Sequence, residues 1–402
     1  MSSNKAIIFF CDGNFIGGAQ SRYINLINHI NNSGSDDYLM IINKEFYDAI
    51  TINNQIKCSS NILPITIRKK YSPSNSLNLS IPKKNKIKLN NREKKFKKLR
   101  NIKWLLGKYI EWFSFSLQCS QIIRKYNIKT IYSVWKGGIW IWPLKFILGF
   151  RLIHSYNDSS VASLSKSVFR VFDSEYWVLK YCDKIDFLSL NYVNLLERVI
   201  GKIDSNRISI TPNSFIIYDS YYPVYPKEND VIFMARFISY KNPILFLESV
   251  KYFNKLNFGE KVNFFIIGEG SLENDIKEFI KVNKLQNVTF IGKIFHSWTY
   301  LRKSKVFISI QDDENYPSQS LLEAMACENA IIASDVGETR KLVTESEGIL
   351  VNLDKESIAN ALINLLSNPL LMETLSKNAR RKVLSQHTIE KYEEYFKKLL
   401  EP

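Results

Sequence analysis

The sequence is poor in the residues that build disulfide frameworks and metal sites. It has five cysteines, at Cys11, Cys58, Cys119, Cys182 and Cys327, an odd number with no C-x-x-C spacing. That excludes a disulfide scaffold and a zinc module and points to a reducing compartment. The four histidines, His29, His154, His296 and His387, show no metal-ligand spacing either. Long apolar runs are also missing. The most apolar stretch, GGIWIWPLKFILGF, is broken by Pro143 and Lys145 and followed by Arg151, so it is too short to span a bilayer. The opening MSSNKAIIFFCDGNF runs directly into a strand pattern and a glycine turn, so no signal peptide is expected. No internal repeat stands out beyond an alternation of strand and helix patterns.

Acidic residues are in deficit. Lys and Arg number 55 against 39 Asp and Glu, a formal net charge of +16. Such a balance suits an anionic partner: nucleic acid, an acidic membrane surface or a phosphorylated substrate. The competing explanation is a chain rich in Lys, Asn and Ile throughout. At 402 residues, 45% hydrophobic, the chain should fold as two domains.

What is present is a rhythm. KAIIFFC, DYLMIIN, IKTIYSV, RLIHSY and KIDFLSL read as buried strands in the first half, and DVIFMAR, VNFFIIG, NVTFIG, KVFISI and NAIIAS in the second. Continuous apolar runs separated by helical patterns predict parallel strands covered on both faces. The fold class is therefore α/β, with two doubly wound Rossmann-like domains facing across a cleft. The stretch from Pro212 to Asp230, with three prolines and clustered tyrosines, reads as the linker. The expected division is 1–217, 218–385 and a C-terminal helix, 386–402, that packs back toward the first domain. Residues 81–113 differ from the rest: a basic run leads into an aromatic helix with Trp104, Tyr109, Trp112 and Phe113. This composition fits an anionic bilayer surface, against a solvated loop or, with less support, nucleic acid.

Polar groups gather where predicted strands end. Gly17 and Gly18 lie between a strand and an amphipathic helix, where backbone can approach an anion, although a tight turn alone would need them too. Arg236 ends a strand and Lys241 follows five residues later, with Pro243 suited to a first helical position. Two cations there would neutralise a diphosphate. Gly268 and Gly270 follow the next strand, with Ser271 as the expected helix cap. Then DDENYPSQSLLEAMAC, from Asp312, sets a polar loop before a helix expected to start near Ser320. Its N–H groups form an anion cradle. Glu323 either takes ribose hydroxyls or completes a capping box with Ser320.

These stretches, in this order, resemble retaining glycosyltransferase family 4, the glycosyl transferases group 1, of GT-B fold. The matching parts are GGAQ (17–20), ITPNS (210–214), ARFISYKNP (235–243), IIGEGSLE (266–273) and ENYPSQSLLEAMACENAIIASDVGE (314–338). The resemblance implies that Arg236 and Lys241 bind the donor diphosphate and that Glu323 holds the ribose. Tyr316, Pro317, Ser318, Gln319 and Ser320 would line the phosphate and sugar, Gly292 and Lys293 would meet the base, and Gly17 and Gly18 would approach from the other domain. Two departures stand out. The first Glu of the family's Glu-x7-Glu motif falls on Asn315, with Glu314 beside it, so either is a candidate for that role. The reacting centre of the first domain falls on Asn157 or Asp158, while His154 reads as a packed strand residue.

The implied reaction moves a sugar from a nucleotide-diphosphate sugar to a hydroxyl acceptor with retention. No metal and no other cofactor is expected. The acceptor is expected to be a lipid-linked or cell-surface glycan precursor, as in polysaccharide biosynthesis. The expected location is cytoplasmic, peripheral on the inner membrane face through residues 83–113, with no nucleic-acid partner. The alternatives are a nucleotide-sugar epimerase of the same fold, a nucleotide-sugar hydrolase, and a non-catalytic glycan or nucleic-acid binder.

Overall fold

Strands whose every residue is apolar must be covered on both faces, and the structure shows how. The computed structural model describes residues 4–11, 18–32, 38–52, 61–67, 91–157 and 174–401, with backbone alone for residues 18, 19, 21, 31 and 91–105. The first sheet holds β1 (Lys5–Phe10), β2 (Leu39–Asn43), β3 (Ile62–Ile65), β4 (Thr130–Trp135), β5 (Arg151–Tyr156), β6 (Lys184–Phe187) and β7 (Ile208–Ile210). The second holds β8 (Glu228–Met234), β9 (Asn263–Ile267), β10 (Val288–Gly292), β11 (Ser304–Ser309), β12 (Ala330–Ser334) and β13 (Gly348–Val351). The orders are β3-β2-β1-β4-β5-β6-β7 and β10-β9-β8-β11-β12-β13. All the described pairings are parallel. In β1, Ala6, Ile8 and Phe10 enter one core while Ile7 and Phe9 enter another on the opposite face. The strand period of two makes this split.

The helices that matter for the site are α1 (Gly18–Asn32), α2 (Asn91–Lys125), α3 (Leu144–Leu148), α4 (Leu190–Ile200), α5 (Pro243–Lys255), α6 (Glu273–Val282), α7 (Gln319–Ala326) and α8 (Ile389–Leu399). Helix α6 is capped at Leu272 and not at Ser271. In the turn before it a Cβ on Gly268 (φ +146°) would overlap the Ala235 carbonyl, so that position needs glycine. The strands that the apolar runs do not predict, β3, β7 and β13, are edge strands. They are short, and β3 carries Pro64, which only an edge tolerates.

The linker is packed rather than loose. Phe215 is buried in a core of the first sheet, and its neighbour Ile216 in a core of the second. Helix α8 returns to the first sheet, where Ile389, Tyr392, Phe396 and Leu399 join the core that holds Phe215. The two crossings are tied together: the Asn213 amide donates to the Thr388 carbonyl at 2.7 Å and the Tyr218 hydroxyl to the His387 carbonyl at 2.8 Å.

In each sheet the strand order reverses next to its first strand, between β1 and β4 and between β8 and β11. Ligands of doubly wound sheets bind outside the carboxyl ends of the strands at such switch points.

Candidate active site in the interdomain cleft

A cleft of about 790 Å³ lies between the sheets, lined by residues of both. Its second-domain wall is the β8–β11 switch. The chain leaves β8, places Arg236 and Lys241 on the cleft, turns through Asn242 in the left-handed region (φ +53°) and enters α5 with Pro243 in its first turn. Asn accepts that backbone at little cost. The Arg236 guanidinium donates to the Tyr240 hydroxyl at 2.7 Å, and the Lys241 ammonium donates to the Gln311 side-chain carbonyl. Burial, with Arg236 adding repulsion, pulls Lys241 down to about 8. A largely desolvated lysine that feels repulsion from a nearby exposed arginine is a site that an anion relieves.

The polar loop after β11 leads to α7. Its cap is Ser318, whose hydroxyl accepts from the Leu321 N–H at 3.4 Å. The helix thus starts at Gln319, one residue before the expected Ser320, and Glu323 sits in its second turn. That geometry excludes the capping box. The Glu323 carboxylate instead accepts from the Ser297 hydroxyl at 2.7 Å, which lies 3.1 Å from the Tyr221 hydroxyl. Burial raises it to about 7. Pro317, Ser318, Gln319, Ser320 and Glu323 all line the cleft, as does Lys293, which pairs with Glu269 at 2.6 Å.

Other candidates lie off the cleft lining. Asn315 is 1% exposed, and its amide is engaged by Ser309 at 2.9 Å and Gln311 at 2.5 Å. Tyr316 is buried in a second-domain core, and Gly292 ends β10 behind Lys293. Glu314 bridges the domains. One oxygen accepts from the Tyr316 and Glu338 N–H groups at 2.9 and 2.8 Å. The other accepts from the Ser189 hydroxyl and the Asn191 amide of the first domain, both at 3.3 Å. A Cβ on Gly337 (φ +52°) would sit 2.6 Å from this carboxyl, so the glycine makes room for it. Glu338 adds a second link, accepting from the Leu190 N–H at the start of α4 at 3.3 Å.

On the first-domain wall, Asn157 follows β5 and lines the cleft, its amide donating to the Tyr23 hydroxyl at 2.9 Å. Gly18 begins α1. Gly17 and Asp158 lie outside the described residues. His154 is fully buried, with Ser133 and Glu175 each 2.8 Å from one ring nitrogen. The partners of Glu314 and Glu323, namely Ser189, Asn191, Ser297 and Tyr221, escape sequence reasoning because they come from distant segments of the chain. Among the described residues no group of three His, Cys, Asp or Glu side chains is placed to hold a metal. No described helix is long and apolar enough to cross a membrane.

Comparison with known proteins agrees with this architecture. Residues 219–382, which carry the second sheet, match the family described as Glycosyl transferases group 1. Over 205 residues the chain is 26% identical to a Campylobacter jejuni protein named GalNAc-alpha-(1->4)-GalNAc-alpha-(1->3)-diNAcBac-PP-undecaprenol alpha-1,4-N-acetyl-D-galactosaminyltransferase, covering 50% of this chain and 55% of that one. Over 206 residues it is 28% identical to the Escherichia coli UDP-Gal:alpha-D-GlcNAc-diphosphoundecaprenol alpha-1,3-galactosyltransferase, covering 47% and 52%. The chain thus spans about half the length of the curated relatives it matches. Among solved structures, Anabaena HepE in complex with UDP superposes with a TM-score of 0.71 at 13% identity, covering 98% of this chain and 99% of that one. Sucrose-phosphate synthase from Thermosynechococcus elongatus superposes at 0.68 with 19% identity, covering 98% and 97%. At such identities the likeness shows the fold, which is GT-B.

Proposed function

We propose that this chain is a glycosyltransferase that moves a sugar from a nucleoside diphosphate to a hydroxyl of a lipid-linked glycan, with retention and without a metal. The observation that carries the reading is the second-domain wall. Arg236, Lys241 and the start of α7 line the same cleft, which suits a diphosphate, and Glu323 on that lining suits the ribose hydroxyls. The curated relatives named above act on undecaprenol-linked acceptors, which supports the acceptor class. HepE is known in complex with UDP-glucose, which supports a nucleotide sugar as donor.

In this reading the acceptor oxygen bonds to the anomeric carbon on the face from which the diphosphate leaves. The bond from that carbon to phosphate oxygen breaks, and the acceptor proton passes to the departing phosphate. Arg236, Lys241 and the α7 N–H groups stabilise the charge that builds there, the role a divalent ion plays elsewhere.

A membrane-facing acceptor also fits one surface. On α2, Leu106, Ile110, Phe113 and Leu117 recur at helical spacing and are 57, 43, 62 and 48% exposed, beside Phe146 and Ile147 of α3. The aromatic part of the basic segment thus divides: Phe113 faces out, while Trp112 donates to the Trp140 carbonyl at 2.8 Å. The preceding basic residues 81–90 lie outside the described residues. With them, the surface suits peripheral binding to an anionic bilayer.

The test is incubation with a panel of nucleotide sugars and an undecaprenyl-diphosphate glycan. Release of nucleoside diphosphate together with an extended lipid-linked product supports transfer. Free sugar without product means hydrolysis, and an epimerised donor means an epimerase; either outcome overturns the proposal.

A further inference from the structure

One cation on the first-domain wall has no part in the site described so far. Arg22 lies on α1, lines the cleft and is 3% exposed. Its guanidinium lies over the rings of Phe215 and Tyr392, 5.4 and 4.7 Å from their centroids, the two rings packing against each other at 4.8 Å. Its Nε and Nη1 have no hydrogen-bond partner among the described residues. Asp186, whose charge reaches it, is already engaged by the hydroxyls of Tyr132, Thr211 and Tyr395 at 2.7, 3.2 and 2.5 Å. Arginine does not shed its proton, and a buried guanidinium with idle donors is unfavourable until an anion meets it.

The surroundings say which anion. Helix α1 packs against α7. The start of α7 lines the same cleft, together with Arg236 and Lys241. We propose that Arg22 binds a phosphate in the cleft, namely the donor diphosphate, from the side opposite Arg236 and Lys241. The rings of Phe215 and Tyr392 fix the planar fork in advance, so two parallel N–H bonds to phosphate oxygens cost little ordering. Phosphate would then be gripped by both domains, and charge stabilisation would be complete only when they are closed around it. This consequence for catalysis rests on the transferase reading, but phosphate binding does not.

Arg22→Met keeps the unbranched stem and removes the charge; Arg22→Lys keeps the charge and removes the fork. Isothermal titration of each with UDP and UMP, and with ADP, GDP and their monophosphates if uridine does not bind, reads the effect without turnover. Unliganded melting temperatures verify that both variants fold. The expected result is a loss of about ten- to a hundredfold in diphosphate affinity for Arg22→Met, with monophosphate affinity within about twofold and Arg22→Lys in between. Equal losses for di- and monophosphate mean a packing role and overturn the proposal. So does unchanged diphosphate affinity in both variants. An increased KM confined to a diphosphate-bearing acceptor, absent for an acceptor analogue without phosphate, overturns the donor assignment in favour of the acceptor. A wild-type protein that binds diphosphate but transfers no sugar would sink the transferase reading and leave this test intact.

Discussion

On the second-domain wall of the cleft, the candidate ligand groups follow β8, β10 and β11 in chain order, each within a short loop of its strand end. On the first-domain wall, Asn157 does the same after β5, but Arg22 owes its position to Phe215 of the linker and Tyr392 of α8. The ligand groups of one wall sit close to their strand ends, whereas the other joins Arg22 and Tyr392, 370 positions apart (392 − 22). The difference teaches where a site can be altered in isolation. A substitution on the local wall should change ligand binding and little else, whereas one on the other wall should also touch the domain junction.

The strongest way to break that contrast is Arg236→Ala. If the local wall carries charge stabilisation, kcat/KM for transfer should fall by about a hundred- to a thousandfold while melting temperature stays close to wild type. A comparable loss of stability would show that the wall is not separable from its fold. Next in size is Glu323→Gln, with an expected loss of about ten- to a hundredfold in nucleoside diphosphate affinity, absent for a ligand lacking ribose hydroxyls. Its raised carboxyl has a second signature. The folded state holds this proton more tightly than the unfolded state does, so the unliganded protein should lose stability as pH rises from about 4.5 to about 7. Thermal melts across that window should show a shallower slope for Glu323→Gln.

How much of this could be read from sequence differs between the walls for the same reason. Arg236, Lys241, Ser318 and Glu323 sit in contiguous stretches whose spacing follows from a strand, a turn and a helix start. The apolar runs predict ten of the thirteen described strands, and the three that escape lie at sheet edges, where one neighbour is missing and the continuous apolar signal fades. Glu314 and Asn315 show the limit. Adjacent in sequence and alike in polarity, they fit one role equally well, yet one bridges the domains and the other is buried against Ser309. Which way each side chain faces depends on Ser189, Asn191 and Gly337, and no local pattern encodes those.

Smaller effects sharpen the comparison. If Asn157 serves the reacting end rather than the diphosphate, Asn157→Ala should lower kcat by about tenfold with donor affinity unchanged. Steady-state and equilibrium binding measurements separate the two. Lys241 should impose a high-pH limit: it is charged below about 8 and neutral above, so kcat/KM should decline as pH rises past that value. Lys241→Arg should extend the plateau. The smallest effect is expected at the bridge. A double-mutant cycle of Glu314→Gln and Asn191→Ala should give a coupling of about 0.5–1.5 kcal/mol in thermal stability, with donor affinity within about twofold of wild type.

Helix α8 has a consequence for how the molecule is made. Its buried face fills the same core as β1, β2 and β4, and that core also takes Phe215 from the linker. During synthesis the described strands of the second domain are all made before α8 emerges, whereas the first domain, translated earlier, waits for α8 to close its core. The domain made first is finished last. A nascent chain arrested before Ile389 should therefore yield a protease-resistant second domain and a first domain still open to cleavage. Release of α8 should lock both in one step.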